Sequence, residues 1–106
     1  MPHLNDIAAF QQQMVEVYGE RDAERGLARS FAWFTEEVGE LSRALFRGTH
    51  EQRMQEFADV MAWLASLAAH SGVDLTAAAQ RYADGCPRCQ GGSPCRCPDP
   101  SATLPR

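Results

Sequence analysis

Two segments of this chain each carry two stripes of residues at helical spacing, and this double pattern constrains the fold more than any other feature. In residues 27–47 an apolar stripe advances by three and four residues, which is the repeat of an amphipathic α-helix. Its members are Phe31, Phe34, Val38, Leu41 and Leu45. A second stripe with the same spacing lies roughly 120° around the helix. It consists of Trp33, Glu37, Glu40, Ala44 and Arg47. The segment is therefore predicted to be one helix, with an apolar core face and carboxylates on a different face.

The same design recurs in residues 50–70. The apolar stripe consists of Phe57, Met61, Leu64 and Ala68. The second stripe consists of Glu56, Asp59, Trp63, Ser66 and His70. Because the connection between the two segments is short, they are predicted to be antiparallel neighbours. Both tryptophans then lie at one end of a shared groove, Arg47 and Arg53 lie at the other end, and the carboxylates lie between them.

The start of the chain predicts one more helix, followed by a polar connector. Asn5 or Asp6 can cap a helix that runs to about Tyr18. Residues 19–26 are charged and have no apolar repeat, so they are predicted to form a solvated loop. A loop that carries Arg21 and Arg25 to the substrate is the less favoured interpretation.

Capping signals delimit the remaining helices. Gly48 is predicted to end the second helix, and Thr49 with Gln52 forms a capping box that begins the third. Gly72 ends that helix, and Asp74 can cap a short fourth helix. Since no stretch alternates between apolar and polar residues, the fold class is predicted to be all-α.

The bulk composition narrows the functional classes. Hydrophobic residues make up 44% of the chain and charged residues 23%, which is typical of a soluble globular domain. The formal net charge of −4 argues against broad nucleic-acid binding. No apolar run approaches the length of a membrane span and the first residues lack a signal-peptide pattern, so a cytoplasmic location is expected. Helices in a domain this small leave apolar flanks exposed, and a homodimer or homotetramer is therefore expected.

The carboxylates are grouped in a way that predicts a metal site. Glu37 with Glu40 and Glu56 with Asp59 are i,i+3 pairs, which project to the same side of a helix, and Glu36 adds a fifth charge. Like charges this close raise one another's pKa and oppose folding. A divalent cation offsets that repulsion, and oxygen ligands favour Mg²⁺ or Mn²⁺. A di-iron bundle is not indicated, because the Glu-x-x-His motif that it requires is absent.

Residues 36–40 (EEVGE) followed by residues 56–59 (EFAD) are similar to the EExxE…ExxD signature of the MazG-like, all-α nucleotide pyrophosphohydrolase superfamily. The resemblance extends over roughly residues 5–85, where residues 72–75 (GVDL) also open the last helix as is common in that superfamily. It implies a four-helix MazG-like bundle that is completed by oligomerisation. It also implies Mg²⁺-dependent hydrolysis of nucleoside triphosphates, (d)NTPs, to the monophosphate and pyrophosphate, as in house-cleaning of the nucleotide pool.

The resemblance also assigns roles to the acidic residues. It implies that Glu37, Glu40, Glu56 and Asp59 are the Mg²⁺ ligands, and that Glu36 supports them or helps to orient a water molecule. Residues 80–85 (QRYADG) lack the lysine and asparagine that the superfamily often carries in and after its last helix. The preferred substrate therefore stays open.

The groove ends suggest substrate contacts. Tryptophans in small helical proteins mostly belong to a core or a subunit interface, but the position of Trp33 and Trp63 on the carboxylate stripes favours stacking on a base. Arg47 and Arg53 are candidates for binding phosphate, although arginines on a helix surface are commonly only solvated.

The cysteines are confined to the C-terminal region. Cys86, Cys89, Cys95 and Cys97 follow the pattern C-x₂-C-x₅-C-x-C, which is close to that of a zinc knuckle. Structural Zn²⁺ is the first interpretation, free or redox-labile thiols the second and a disulfide pair the third. The predicted domains are a helical pyrophosphohydrolase domain at residues 1–85, a cysteine-rich knuckle at 86–97 and a disordered tail at 98–106.

Two other functions remain open on the sequence. A phosphoribosyl-ATP pyrophosphohydrolase shares the acidic signature and belongs to the same class of enzyme. A non-catalytic interaction module, in which the zinc knuckle binds a partner, belongs to a different class.

Overall fold

The computed structural model describes residues 4–101 and 103–105, and every regular element among them is helical. The elements are α1 (Ile7–Arg25), α2 (Leu27–Arg47), α3 (His50–His70) and α4 (Leu75–Ala79), followed by a 3₁₀ turn at Gln80–Tyr82. The all-α prediction is therefore confirmed. Residues 1–3, 102 and 106, which belong to the predicted first domain and the predicted tail, lie outside the described residues. Among the described residues, no helix combines the length and the hydrophobicity that a membrane span requires.

Most of the predicted helix boundaries are confirmed by their caps. The Asp6 carboxylate accepts a hydrogen bond of 2.7 Å from the amide of Ala9 at the start of α1. At the start of α3, the amide of Gln52 donates to the Thr49 hydroxyl and the amide of Thr49 donates to the Gln52 side chain, which is the predicted capping box. Gly72 has a φ of +74° just after α3, a conformation that glycine adopts readily at a helix end.

The predicted end of α1 is wrong, because the helix continues through the charged segment to Arg25. Asp22 is only 6% exposed, and its carboxylate lies 2.9 Å from the Arg25 guanidinium. Gln11, Met14 and Asp22 are the buried residues of α1, so one packing face runs along the whole helix. Ion pairing within the helix lets that face include a carboxylate. The helix ends at Gly26, where φ is +85°.

The predicted core face of α2 and α3 is also wrong, because the apolar stripe is not buried within the chain. Phe31 is 58% exposed, Phe57 is 53% exposed and Met61 is 50% exposed. The other large exposed members of the stripe are Val38, Leu45 and Leu64. We call these six residues the apolar face.

Small residues are buried instead. The buried positions of α2 are Ser30 and Ala44, and those of α3 are Ala65 and Ser66. Side chains of this size let helices pack closely, and α2 packs mainly against α3, which also contacts α1. Ser30 and Ala44 lie on the α2 side that carries Trp33 and Glu37, so this side turns towards the neighbouring helices and leaves the apolar face outside.

The chain divides into two compact units, Met1–Thr76 and Ala77–Arg106. The first contains α1, α2 and α3. The second contains the 3₁₀ turn and the four cysteines, which form one group with a sulfur atom from each residue within 4.8 Å of the others. Near the end of the second unit, the Asp99 carboxylate accepts hydrogen bonds from the amide and hydroxyl of Ser101.

A buried glutamine attaches α1 to the turn that follows α3. Gln11 is only 8% exposed. Its amide nitrogen donates to the Val73 carbonyl at 2.8 Å, and its oxygen accepts from the Leu75 amide at 3.0 Å. Two backbone groups that lie outside any helical hydrogen-bond ladder are thereby paired.

We expect Gln11→Ala to lower the free energy of unfolding by about 2 kcal/mol, because it leaves both backbone groups without this partner. Urea denaturation followed by far-ultraviolet circular dichroism measures the change. Gln12→Ala is the matched control, since the neighbouring side chain bonds only to Glu16 on the exposed side of the helix. Equal losses of stability in the two variants would contradict a specific role for Gln11.

Candidate active site

Three carboxylates from two helices converge in the first unit. Glu37 of α2 and Glu56 and Asp59 of α3 each offer one oxygen, and the three oxygens lie within 4.8 Å of one another. We call these residues the carboxylate trio. Their convergence follows from the two-residue connection after α2 and from the i,i+3 spacing of Glu56 and Asp59.

The other two predicted acidic residues lie outside the trio. Glu40 is exposed, yet its charge is near enough to raise the pKa of Glu37. Glu36 is also exposed and is not a member of the group. The structure therefore brings together three of the four predicted ligands and leaves Glu40 beside them.

The trio is electrostatically unbalanced. One oxygen of Glu37 and one of Glu56, Oε2 in each case, are buried and have no hydrogen-bond partner. Burial of the Glu37 carboxylate, and then the charges of Glu40, Asp59 and Glu56, raise the pKa of Glu37 from 4.5 to about 7. Buried carboxylate oxygens without donors are costly, so these two oxygens favour a positively charged partner.

A divalent cation fits these oxygens. Ligand oxygens of an octahedral Mg²⁺ are about 3.0 Å apart when adjacent and about 4.2 Å apart when opposite, given oxygen–metal distances of about 2.1 Å. The three oxygens of the trio all lie within 4.8 Å of one another, so small side-chain rotations bring them onto one ion, and carboxylate oxygen is the donor type that Mg²⁺ and Mn²⁺ prefer. The residues present thus suit a hard divalent ion.

Two tryptophans lie beside each other on the Asp59 side of the trio. The Trp33 and Trp63 rings are nearly parallel, with an interplanar angle of 14° and centroids 6.5 Å apart, as predicted for an antiparallel helix pair. Trp33 is 50% exposed. Its indole is therefore within reach of a ligand in the groove while also stabilising the helix pair.

The first helix contributes cations to this end of the groove, although the sequence favoured a solvated loop here and left a substrate contact by Arg21 and Arg25 as the less favoured interpretation. The Arg25 guanidinium carbon lies 4.9 Å from the Trp63 ring centroid, in the geometry of a cation–π contact. A cavity of about 250 Å³ is formed here by residues of α1 and α3. Its lining consists of Tyr18, Arg21, Asp22, Arg25, Asp59, Ala62, Trp63 and Ser66.

A continuing helical step could have revealed this contribution. Gln11, Met14, Tyr18, Asp22 and Arg25 are separated by three or four residues. The stripe therefore passes from apolar to charged residues without a break. The change in polarity at Gly19 hid the continuity of the repeat.

The opposite end of the groove is cationic through α2. A second cavity, of about 410 Å³, is lined by Glu40, Arg43, Ala44, Arg47, Gly48, Gln52, Gln55 and Glu56. Arg47 lies where the stripe predicts, and Arg43 joins it. Arg53 does not line this cavity; its guanidinium donates a hydrogen bond of 2.7 Å to the Gly48 carbonyl and thereby holds the turn between α2 and α3.

The family model for phosphoribosyl-ATP pyrophosphohydrolase matches residues 7–83 of the chain. The matched range contains all four helices and the whole carboxylate trio. A comparison with curated proteins gives no match.

We expect the stability of the metal-free protein to fall as the pH rises from about 4.5 to about 7. The folded state holds the Glu37 proton more tightly than the unfolded state, so this contribution is fully present below pH 4.5 and is lost as the pH passes the folded pKa. Thermal melts in a chelator across this range measure the trend.

Glu37→Gln should flatten the pH profile in that window, because glutamine does not titrate. Glu36→Gln is the control, since this exposed neighbour lies outside the trio. If Glu37→Gln and the wild type show the same slope, the raised pKa of Glu37 is refuted.

Proposed function

Because the chain belongs to the phosphoribosyl-ATP pyrophosphohydrolase family, within the MazG-like all-α superfamily, we propose that it hydrolyses nucleoside triphosphates to the monophosphate and pyrophosphate. Members of the family are pyrophosphohydrolases that act on phosphoanhydride bonds. The carboxylate trio, with its two unpaired buried oxygens, is the observation that carries the proposal. In this interpretation the enzyme clears surplus or non-standard (d)NTPs from the nucleotide pool.

The trio is proposed to hold Mg²⁺ or Mn²⁺, with Glu40 as a further ligand on the side of the arginines. A divalent ion bound here supplies neutralisation of phosphate charge and polarisation of phosphorus. The mutual repulsion of the Glu37, Glu56 and Asp59 carboxylates favours binding of such an ion, because a positive charge between them offsets it. Glu36, exposed one residue before Glu37, is proposed to accept a hydrogen bond from the attacking water.

The phosphate chain is proposed to extend from the trio towards Arg43 and Arg47. These guanidinium groups line the cavity that also contains Glu40 and Glu56. Guanidinium groups bind phosphate oxygens with two parallel hydrogen bonds and keep their charge at all relevant pH values. They would offset the charge of the departing pyrophosphate. Arg53 is proposed to act in the same region through the N–H groups that do not bond to Gly48.

The base is proposed to lie against the tryptophans. Trp33 and Trp63 offer flat, apolar surfaces next to Asp59, and stacking on an aromatic ring tolerates any base. The order base, metal and arginine along the groove matches the order base, α-phosphate and terminal phosphates in a nucleoside triphosphate.

The reaction that follows is a direct displacement. Water oxygen bonds to the α-phosphorus, the bond from that phosphorus to the bridging oxygen breaks, and pyrophosphate leaves with the electron pair. The water proton passes to a carboxylate and then to solvent. Protein groups supply mostly positioning and electrostatic stabilisation in reactions of this type.

Phosphoribosyl-ATP is the second candidate substrate, and the cavity beside Trp63 favours it. Such a substrate carries the same triphosphate together with an additional sugar phosphate on the base. Arg21 and Arg25 line the cavity that lies just beyond the proposed base position, where that extra phosphate would have to be bound. The family match points in the same direction.

A homodimer is proposed to cover the apolar face. Its aromatic and aliphatic side chains are exposed on two adjacent helices, and an exposed patch of this kind is typical of a protein–protein interface. Two such dimers could pair as a tetramer. A cytoplasmic location is also proposed, because nucleoside triphosphates, the proposed substrates, are present in the cytosol.

We expect the purified protein with Mg²⁺ to release pyrophosphate from at least one member of a panel of NTPs, dNTPs and phosphoribosyl-ATP. Asp59→Asn and Glu56→Gln should lower the rate at least about 100-fold, because each removes a proposed ligand while keeping the side-chain shape. Glu40→Ala should also lower it.

Glu24→Gln, an exposed carboxylate on α1, is the control and should keep the wild-type rate. Circular dichroism checks that the helices persist. Wild-type turnover by Asp59→Asn would refute the metal assignment, and no pyrophosphate from any substrate would refute the proposed function.

We expect Met61→Glu to dissociate the proposed dimer, because it places a charge in the centre of the apolar face. Light scattering coupled to size-exclusion chromatography measures the mass. Val17→Glu, on an equally exposed apolar residue of α1, should leave the mass unchanged. A wild-type protein that elutes as a monomer would contradict the dimer directly.

A further inference from the structure

The four cysteine sulfurs of the second unit form a compact cluster. Cys86, Cys89, Cys95 and Cys97 each place a sulfur within 4.8 Å of the other three. The sulfurs of Cys86 and Cys95 are 3.6 Å apart, and those of Cys86 and Cys97 are 3.8 Å apart. All four are free cysteines.

These distances discriminate between the possible roles of the thiols. A disulfide requires about 2.05 Å between its sulfurs, which is far shorter than the separations observed. Four sulfurs at about 2.3 Å from a central Zn²⁺ form a tetrahedron whose edges are about 3.8 Å. The two measured distances match an edge of that tetrahedron.

The backbone closes tightly around the cluster. The Cys86 amide donates to the Gly92 carbonyl, and the Gly91 amide donates to the Cys86 carbonyl, both at 2.9 Å. This pair of bonds returns the chain on itself between the first two cysteines and the last two. A β-carbon added at Gly92 would lie 2.5 Å from the Cys89 sulfur, so the close approach of backbone to sulfur depends on glycine there.

Backbone amides also point at the sulfurs. The Arg96 amide donates to the Cys89 sulfur at 3.5 Å, and the Cys97 amide donates to the Cys95 sulfur at 3.4 Å. Donors of this kind stabilise thiolates that ligate a metal. Arg88 and Arg96 each lie between two cysteines in the sequence, so the same short segment carries two positive charges.

We propose that Cys86, Cys89, Cys95 and Cys97 bind one Zn²⁺ in a structural tetrathiolate site. Four sulfurs within 4.8 Å of one another select a thiophilic ion over Mg²⁺ or Mn²⁺. Four protein ligands fill the coordination sphere and leave no position for water or substrate. The segment 86–97 therefore folds around the ion, and binding releases the thiol protons.

The full-length protein, purified without a chelator, tests this directly by elemental analysis. About one Zn²⁺ per chain is expected, with four thiols that react with a thiol reagent only after the metal is removed. Less than about half an equivalent of Zn²⁺, iron in its place, or a disulfide in the native protein would each overturn the proposal. The measurement does not involve activity, so its outcome for the zinc site is independent of whether the proposed pyrophosphohydrolase function is correct.

Variants locate the site. Cys89→Ser and Cys97→Ser should each lose the metal, and Gly92→Ala should weaken Zn²⁺ binding at least about tenfold, because its methyl group meets the Cys89 sulfur. Ser93→Ala, which changes a neighbouring exposed residue, is the control and should bind as the wild type does.

Titration of the metal-free chain with Co²⁺ gives a second measurement that does not depend on recovery of zinc during purification. A tetrahedral thiolate spectrum that saturates at one equivalent is expected. An octahedral spectrum, or an unchanged tetrahedral spectrum in Cys97→Ser, would contradict the four-sulfur assignment.

Discussion

Close packing of α2 and α3 through small residues is the constraint on which the site depends. Ser30, Ala44, Ala65 and Ser66 are the buried residues of these helices, and none of them holds the helix backbones far apart. As a result, the larger residues on the same sides lie next to the corresponding residues of the other helix. Trp33 and Glu37 are among them. The carboxylate trio results from that packing.

This arrangement concentrates negative charge at the centre of the groove. Glu37 combines burial with three neighbouring negative charges, and in most proteins such a group would be paired with arginine or lysine. The cations of this groove lie at its two ends instead, with Arg25 beside Trp63 and Arg47 beyond Glu40. In the proposed function, the centre of the groove binds a cation that arrives with the substrate, and the arginines at the ends neutralise phosphate.

The acidic groove was largely predictable because the same order of residue types occurs on both helices, in opposite directions along the sequence. Residues 30, 33, 37 and 40 are Ser, Trp, Glu and Glu, while residues 66, 63, 59 and 56 are Ser, Trp, Asp and Glu. In an antiparallel pair these positions face each other level by level, which explains why the tryptophans and three of the four predicted acidic ligands come together. The capping box at Thr49 fixed the register by making the connection short.

Amphipathic patterns could not say which face of a helix is covered by its own chain. Phe31 and Met61 have the residue types of a core, yet they are half exposed, since the small residues of the other stripe allow a closer helix pair. The charge of Asp22 likewise concealed that α1 continues, because its ion pair with Arg25 cannot be read from composition. In both places the three- and four-residue spacing indicated the packing face of the helix correctly, whereas the polarity of the individual residues pointed away from it.

The proposed function requires Glu37, Glu56 and Asp59 to bind one divalent ion together with a triphosphate. A crystal structure with Mn²⁺ and a non-hydrolysable nucleoside triphosphate analogue tests it most directly, through the anomalous scattering of the ion. We expect a Mn²⁺ peak within about 2.5 Å of an oxygen from each of the three residues. A bound nucleotide whose Mn²⁺ lies away from the trio would contradict it.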